Sequence, residues 1–231
     1  MDLEAAAEAT SRLVRQAWGG WGSVDDHLIG HLVNPAFMGG PRWPALRQAH
    51  SVTRRGRSVL MASDGLADPT SWADGPPSNG YGVEVYGISA DPFESGDVTG
   101  LAASWLADVV MSTSRLIAQH GFGFTDALER NKTLTVGFPN AKLPGPNASN
   151  FIDDNGSLTV LLGQTDDILP ARIDGPLSPI RLVNLKLLTV AEANYCVNAD
   201  VGSGMAREEL EELFAEQGWR LYSSLDRPSV V

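Results

Sequence analysis

Apolar positions along this chain repeat with two periods, and the changes of period mark its elements. Residues 3–17 put Leu3, Ala6, Leu13, Val14 and Ala17 on one face, which predicts an amphipathic helix stopped by Gly19-Gly20. No regular period runs through residues 21–44, where Trp21 and Trp43 are expected to pin the segment to the body by burying their rings. The short apolar run at 58–62 predicts a strand. Residues 67–80 hold Asp68-Pro69, Gly75-Pro76-Pro77 and Asn79-Gly80, which is the turn chemistry of a loop. Loops of this length without internal structure are uncommon and tend to be mobile or functional. Tyr81, Val83 and Val85 then alternate with Gly82, Glu84 and Tyr86, the two-residue period of a strand with one buried face. The two strands are expected to pair antiparallel across a long tip.

Past a polar loop at 89–100, Leu101, Trp105, Val109 and Leu116 recur at helical spacing, shadowed one position on by Ala102, Leu106, Val110 and Ile117. So wide a stripe predicts a helix lying flat on a sheet, ended by His120-Gly121. Residues 133–138, 158–164 and 180–188 read as strands, with tight turns at Asn155-Gly156 and Asp174-Gly175. Thr189-Val190-Ala191-Glu192 is a capping box opening another helix, and 207–217 form a last amphipathic one with Leu210, Leu213 and Phe214 inward. Strands and helices cluster without steady alternation, so the predicted class is α+β with a mixed, mostly antiparallel sheet packed by helices. No repeat or linker divides the chain, which reads as one domain over 1–231, with an N-terminal helix and irregular segment over 1–56.

The 28 acidic residues against 17 basic ones give a formal charge of −11, which repels phosphate backbones and anionic lipid. Nucleic acid and membrane are therefore not expected as partners. Arg42, Arg47, Arg54, Arg55 and Arg57 form a local exception in a stretch without Asp or Glu. The plain reading is an exposed helix and turn; the sharper one is a patch whose guanidinium forks hold an acidic partner. Cys196 is the single cysteine, which excludes an internal disulfide, and its helical setting predicts a buried thiol. Met1-Asp2-Leu3-Glu4 lacks the basic start and apolar run of a signal peptide, so a cytoplasmic location is expected.

Tests for reaction chemistry find little. His27 and His31 have the spacing of two zinc ligands on a helix, but no Glu follows His27 and Gly30 weakens the helix. Asp153-Asp154-Asn155-Gly156 faintly resembles a calcium loop, but its first ligand position is Phe151 and its twelfth is Leu162 in place of the bidentate glutamate. The adjacent pairs Asp25-Asp26 and Asp166-Asp167 would point to opposite faces of a strand. Neither phosphate-cradling glycine motif occurs, nor does a nucleophile elbow. The expectation is no catalytic, metal or cofactor site. The alternative is a hydrolase or small-ligand-binding enzyme with a site built from dispersed residues, and a third possibility is a self-assembling structural module.

Several segments taken in order carry a resemblance to a known family. They are the strand with Asp64-Gly65-Leu66, the Tyr81-Gly82-Val83-Glu84-Val85 strand, a helix from near Trp105, and Leu158-Thr159-Val160-Leu161-Leu162-Gly163. Pro176-Leu177 leading into 180–188, the Leu188-Thr189-x-x-Glu192 junction and Leu210-x-x-Leu213-Phe214 complete the set. Together, over residues 57–218, they resemble the Suppressor of fused (SUFU) domain family, in the manner of a bacterial member. The resemblance implies a compact α+β domain without catalysis, used to grip other proteins. Animal members look like restrainers of a transcription factor, and bacterial members resemble immunity proteins that neutralise a toxin domain. It therefore implies a protein partner, possibly a toxin domain. Arg-over-Lys usage and abundant Ala and Gly fit a bacterial source. An aromatic residue expected shortly before the Gly-Leu turn is replaced by Met61 and apolar neighbours, so the animal peptide-binding residues do not transfer. The expected contact surface is the 67–80 loop with Met61, Asp64, Trp72 and Tyr81, where Trp72, standing in a polar loop, is either an interface anchor or folded back to staple the loop.

Overall fold

Six strands of five residues or more make the sheet: β1 (Ala49–Arg55), β2 (Ser58–Asp64), β3 (Val83–Ser89), β4 (Leu134–Phe138), β5 (Leu158–Leu162) and β6 (Ile180–Leu187). This computed structural model describes residues 2–31, 33–93, 98–199 and 205–231. The strands lie in the order β1-β2-β3-β6-β5-β4. Neighbours run antiparallel, as where β2 places Ala62 opposite Tyr86 of β3, except the central β3 and β6, which are parallel with Val85 opposite Val183. All seven residues of β3 are buried, so the strand is covered on both faces and not on one as its alternation predicted, and Tyr81 and Gly82 lie in the turn before it.

Among the described residues the helices of ten residues or more are α1 (Leu3–Trp21), α2 (Trp105–His120), α3 (Phe122–Asn131), α4 (Val190–Ala199) and α5 (Met205–Glu216), and a separate five-residue helix, Val98–Ala102, carries Leu101 and Ala102 of the stripe predicted for α2. On one face of the sheet, Leu106, Val110 and Ile117 of α2 meet Met61, Val85, Val160, Val183 and Leu185. Gly87 permits this close approach, since a β-carbon there would stand 3.0 Å from Leu106. On the other face, Val14, Trp18 and Trp21 of α1 cover Leu60, Tyr86, Ile88 and Leu182, while Leu210 and Phe214 of α5 cover Leu161 and Leu188. Cys196 is buried in the latter cluster. Among the described residues no helix is long and apolar enough to cross a membrane.

The chain departs from its sequence pattern at several points. Helix α1 runs through Gly19 and Gly20 to Trp21. Each glycine costs about 1 kcal/mol in a helix, but burying the Trp18 and Trp21 rings returns more, about 2–3 kcal/mol apiece. Leu3, expected inward, is largely exposed. The arginine-rich stretch is not a helix: it contains β1, whose His50, Ser51 and Thr53 are buried although polar, and that hides the strand from an apolar count. Helix α2 ends at His120 as expected, yet α3 follows at once, burying Phe124 and Leu128. Within 67–80, Pro69–Thr70 pairs with Ser78–Asn79 as a small ribbon.

Three buried polar junctions fix the loops. Glu84 is the first: its Oε1 accepts from Gly65 N at 3.1 Å and Ala67 N at 2.9 Å, its Oε2 contacts the Ser63 hydroxyl, and Ser63 Oγ accepts from Val85 N at 2.9 Å. A carboxyl on the glycine-rich strand thereby clamps the Gly-Leu turn. Gly65 and Gly80 both have positive φ, and a β-carbon on Gly80 would stand 2.2 Å from Leu66 O. Asn79 is the second junction, donating to Thr10 Oγ1 at 2.6 Å and Ala67 O at 3.2 Å while accepting from Leu177 N and Ser178 N.

The third is built on the capping box, in which Thr189 N donates to Glu192 Oε2 at 2.8 Å and Glu192 N to Thr189 Oγ1 at 3.2 Å. Arg227 then grips both Glu192 oxygens at 2.6 Å, and both side chains are fully buried. Burial alone would raise the Glu192 pKa, but the Arg227 hydrogen bonds and charge hold it below the usual range. Arg227 also donates to Leu187 O at 2.8 Å and stacks over Phe214, which ties the C-terminal residues to the end of β6.

Two outcomes follow. Replacing Arg227 by Met leaves the Glu192 carboxylate buried without its partner, and the expected loss is about 3–5 kcal/mol by urea denaturation. A loss below about 1 kcal/mol would show that the pair contributes no net stability. Burial pushes the Glu84 pKa up to about 8 from 4.5, against the pull of its Ser63 and backbone hydrogen bonds. Stability from a raised carboxyl pKa is complete below the unfolded value and is lost as pH rises through the folded one. Glu84→Gln, which keeps the neutral shape, is therefore expected to gain stability relative to the parent between pH 5 and about 8. Parallel stability curves for the two proteins over that range would contradict this assignment.

Candidate functional site

Two of the four sequence-predicted contact residues come together at the surface. Trp72, from the 67–80 loop, lies 5.6 Å from Tyr81 between ring centres, and both meet Phe122 at the first residue of α3, at 5.0 and 5.7 Å. Edge-to-face contacts of this kind add about 0.5–1.5 kcal/mol beyond burial. Trp72 Nε1 donates to Ser78 Oγ at 2.8 Å, which holds the indole against its own ribbon. Trp72 and Tyr81 are half-buried and Phe122 is 45% exposed, so the trio is ordered and still open to solvent.

The other two residues lie apart. Met61 is fully buried against α2 and offers no surface. Asp64 is mostly buried and ion-paired to Arg47 at 2.8 Å; Arg47 also grips Asp68 at 2.7 Å. Burial raises the Asp64 pKa, with Arg47 opposing. Phe122 was missed because α3 follows α2 with only Gly121 between them, and Gly121 read as a terminus. The one available signal was Phe122 and Phe124 after Gly121, an aromatic pair too short to show a period.

Beside the trio, Tyr81, Thr125, Glu129, Arg172 and Arg181 line a cleft of about 330 Å³. Arg172 pairs with Glu129 at 3.1 Å, and Arg181 donates to Lys132 O at 2.9 Å. The basic stretch is divided: Arg47 and Arg54 are held by Asp68 and Asp25, whereas Arg42 and Arg55 are exposed.

His50 and Ser114 approach to 3.4 Å, but both are buried, and the Ser114 hydroxyl donates to Val110 O in its own helix. Burial, followed by the charges of His31 and Arg115, lowers the His50 pKa to about 3, so its imidazole is neutral. Lys186 is buried too, donating to Trp219 O and Tyr222 O, with burial lowering its pKa. His27 and His31 do not share a helix, because the two-residue strand Ile29–Gly30 lies between them. Among the described residues no three His, Cys, Asp or Glu side chains converge on a point that could hold a metal ion.

No family model matches this sequence, and no curated protein matches it. Solved structures do. Drosophila Suppressor of Fused superposes with a TM-score of 0.62 at 16% identity, over 96% of this chain and 50% of that one. A chain of the Sufu–Fu complex crystal structure superposes with a TM-score of 0.56, also at 16% identity, over 97% of this chain and 92% of that one. The chain thus spans about half the length of the Drosophila protein it matches. The chain has a Suppressor of Fused-like fold, as the resemblance implied.

Proposed function

We propose that this chain is a non-catalytic, cytoplasmic protein-binding domain that acts as a bacterial immunity protein, neutralising a toxin domain. The observation that carries the binding reading is the ordered, half-open trio of Trp72, Tyr81 and Phe122. Aromatic side chains pre-set on a rigid scaffold are the typical anchors of protein interfaces, since little entropy remains to be lost on contact. The Sufu–Fu complex, a protein assembly of a similar fold, supports the same reading. A neutralising role is supported by the resemblance to bacterial SUFU-like members.

The test is calorimetric titration of the purified chain with the product of the neighbouring coding region. Nanomolar binding is expected, with Phe122→Ala weakening it about tenfold or more while the chain stays folded, its melting temperature lowered by a few degrees through the lost ring contacts. Absence of binding, together with turnover in a broad hydrolase screen, would replace this reading with the enzymatic one.

A further inference from the structure

We propose that the loop of residues 33–46 is a docking surface for an acidic protein segment carrying large apolar side chains. This deepens the protein-binding reading and rests on it. Val33, Phe37, Met38 and Leu46 are all exposed in this one loop, Phe37 by 72% and Met38 by 78%. Single exposed apolar residues are ordinary, but a group of four on one short loop marks an interaction surface.

Their exposure is built into the loop. Asn34 caps the turn Pro35–Met38, its Oδ1 accepting from Ala36 N at 2.9 Å, and its amide donates to Leu46 O, joining the two ends of the loop. Gly40 N donates to Pro35 O at 2.9 Å, and Gly39 closes the turn in the left-handed conformation. Trp43 is buried, and Gln48 Nε2 donates to Pro41 O at 3.1 Å. Compact loops whose ends meet and whose own residues pack them are frequently functional. Here the interior is fixed by Trp43 and hydrogen bonds, while Phe37 and Met38 are left to face outward.

Charge selects the partner. Between Asp26 and Asp64 the sequence has no Asp or Glu, although the whole chain carries −11. Arg42 is exposed on the loop itself and makes no ion pair among the described residues; neither does Arg115 of α2. Arg115 stands near the loop's start, where its charge, after burial, helps lower the pKa of His31. Asp64 and Asp68, at the end of the loop, are held by Arg47, and at physiological salt the screening length of about 8 Å damps acidic residues farther off. Guanidinium forks beside apolar side chains fit carboxylates interspersed with Leu or Phe. Tyr81 OH donates to Arg42 O at 3.3 Å, so this surface adjoins the aromatic trio.

Fluorescence polarisation with a labelled peptide of repeating Glu-Leu-Glu-Phe tests the proposal, with the same peptide carrying Lys for Glu as control. The acidic peptide is expected to bind and the basic one not. Both Phe37→Ala/Met38→Ala and Arg42→Glu are expected to weaken binding about tenfold or more with an unchanged melting temperature. Equal or tighter binding of the Lys peptide, or indifference to these substitutions, would overturn the proposal. So would binding confined to phosphatidylglycerol vesicles, or a Phe37-dependent dimer in sedimentation that takes no peptide. If the peptide fails while Phe122-dependent binding of the neighbouring product persists, this surface is wrong and the protein-binding reading stands; loss of both removes that reading too.

Discussion

A single buried carboxyl organises the loop that carries the exposed aromatic rings. Glu84 sits on the central strand with no cation bonded to it, and it is satisfied by the Ser63 hydroxyl and the amides of Gly65 and Ala67. Leaving those amides unpaired in the interior would cost about 1–3 kcal/mol each, so the turn has no cheap alternative position. Through it the start of the 67–80 loop is fixed, and through Asn79 its end is joined to α1 and to residues 177–178. Trp72 and Tyr81 are therefore carried on a loop anchored at both ends.

The same economy governs the other buried charges. Arg227 and Glu192 neutralise each other out of water, and Lys186 donates to two carbonyl oxygens beneath Phe214. His50 is neutral beside Ser114. Each of these groups could serve chemistry in an open cleft. Here each is enclosed and committed to a structural contact, while the open surface is aromatic and apolar.

Much of the scaffold was legible because it rests on local rules. The stripe on α2 from Trp105 onward and the Thr189-Glu192 capping box depend on neighbours close in sequence, and they stand where the pattern put them; the strand at Val83 does too, but with both faces buried and with Tyr81 left in the preceding turn. β1 was not legible, since its buried His50, Ser51 and Thr53 are polar and only their setting makes them interior. The extent of α1 beyond Gly20 was hidden because it depends on the far side of the sheet receiving Trp18 and Trp21. At the site, Trp72 and Tyr81 were visible as aromatics in and beside a polar loop. Phe122, forty-one residues after Tyr81 in the chain, could join them only through the tertiary fold. Met61, expected at the surface as a neighbour of the 67–80 loop, is inside because β2 is covered on both faces and α2 packs over it.

Hydrogen exchange by NMR on the amides of Gly65 and Ala67 tests the clamp most directly. If the Glu84 carboxyl holds the turn, these two amides exchange as slowly as that of Val85 on the core strand, near the limit set by global unfolding. Exchange as fast as that of Gly75 in the exposed part of the loop would contradict the account, since the platform would then open independently of the sheet.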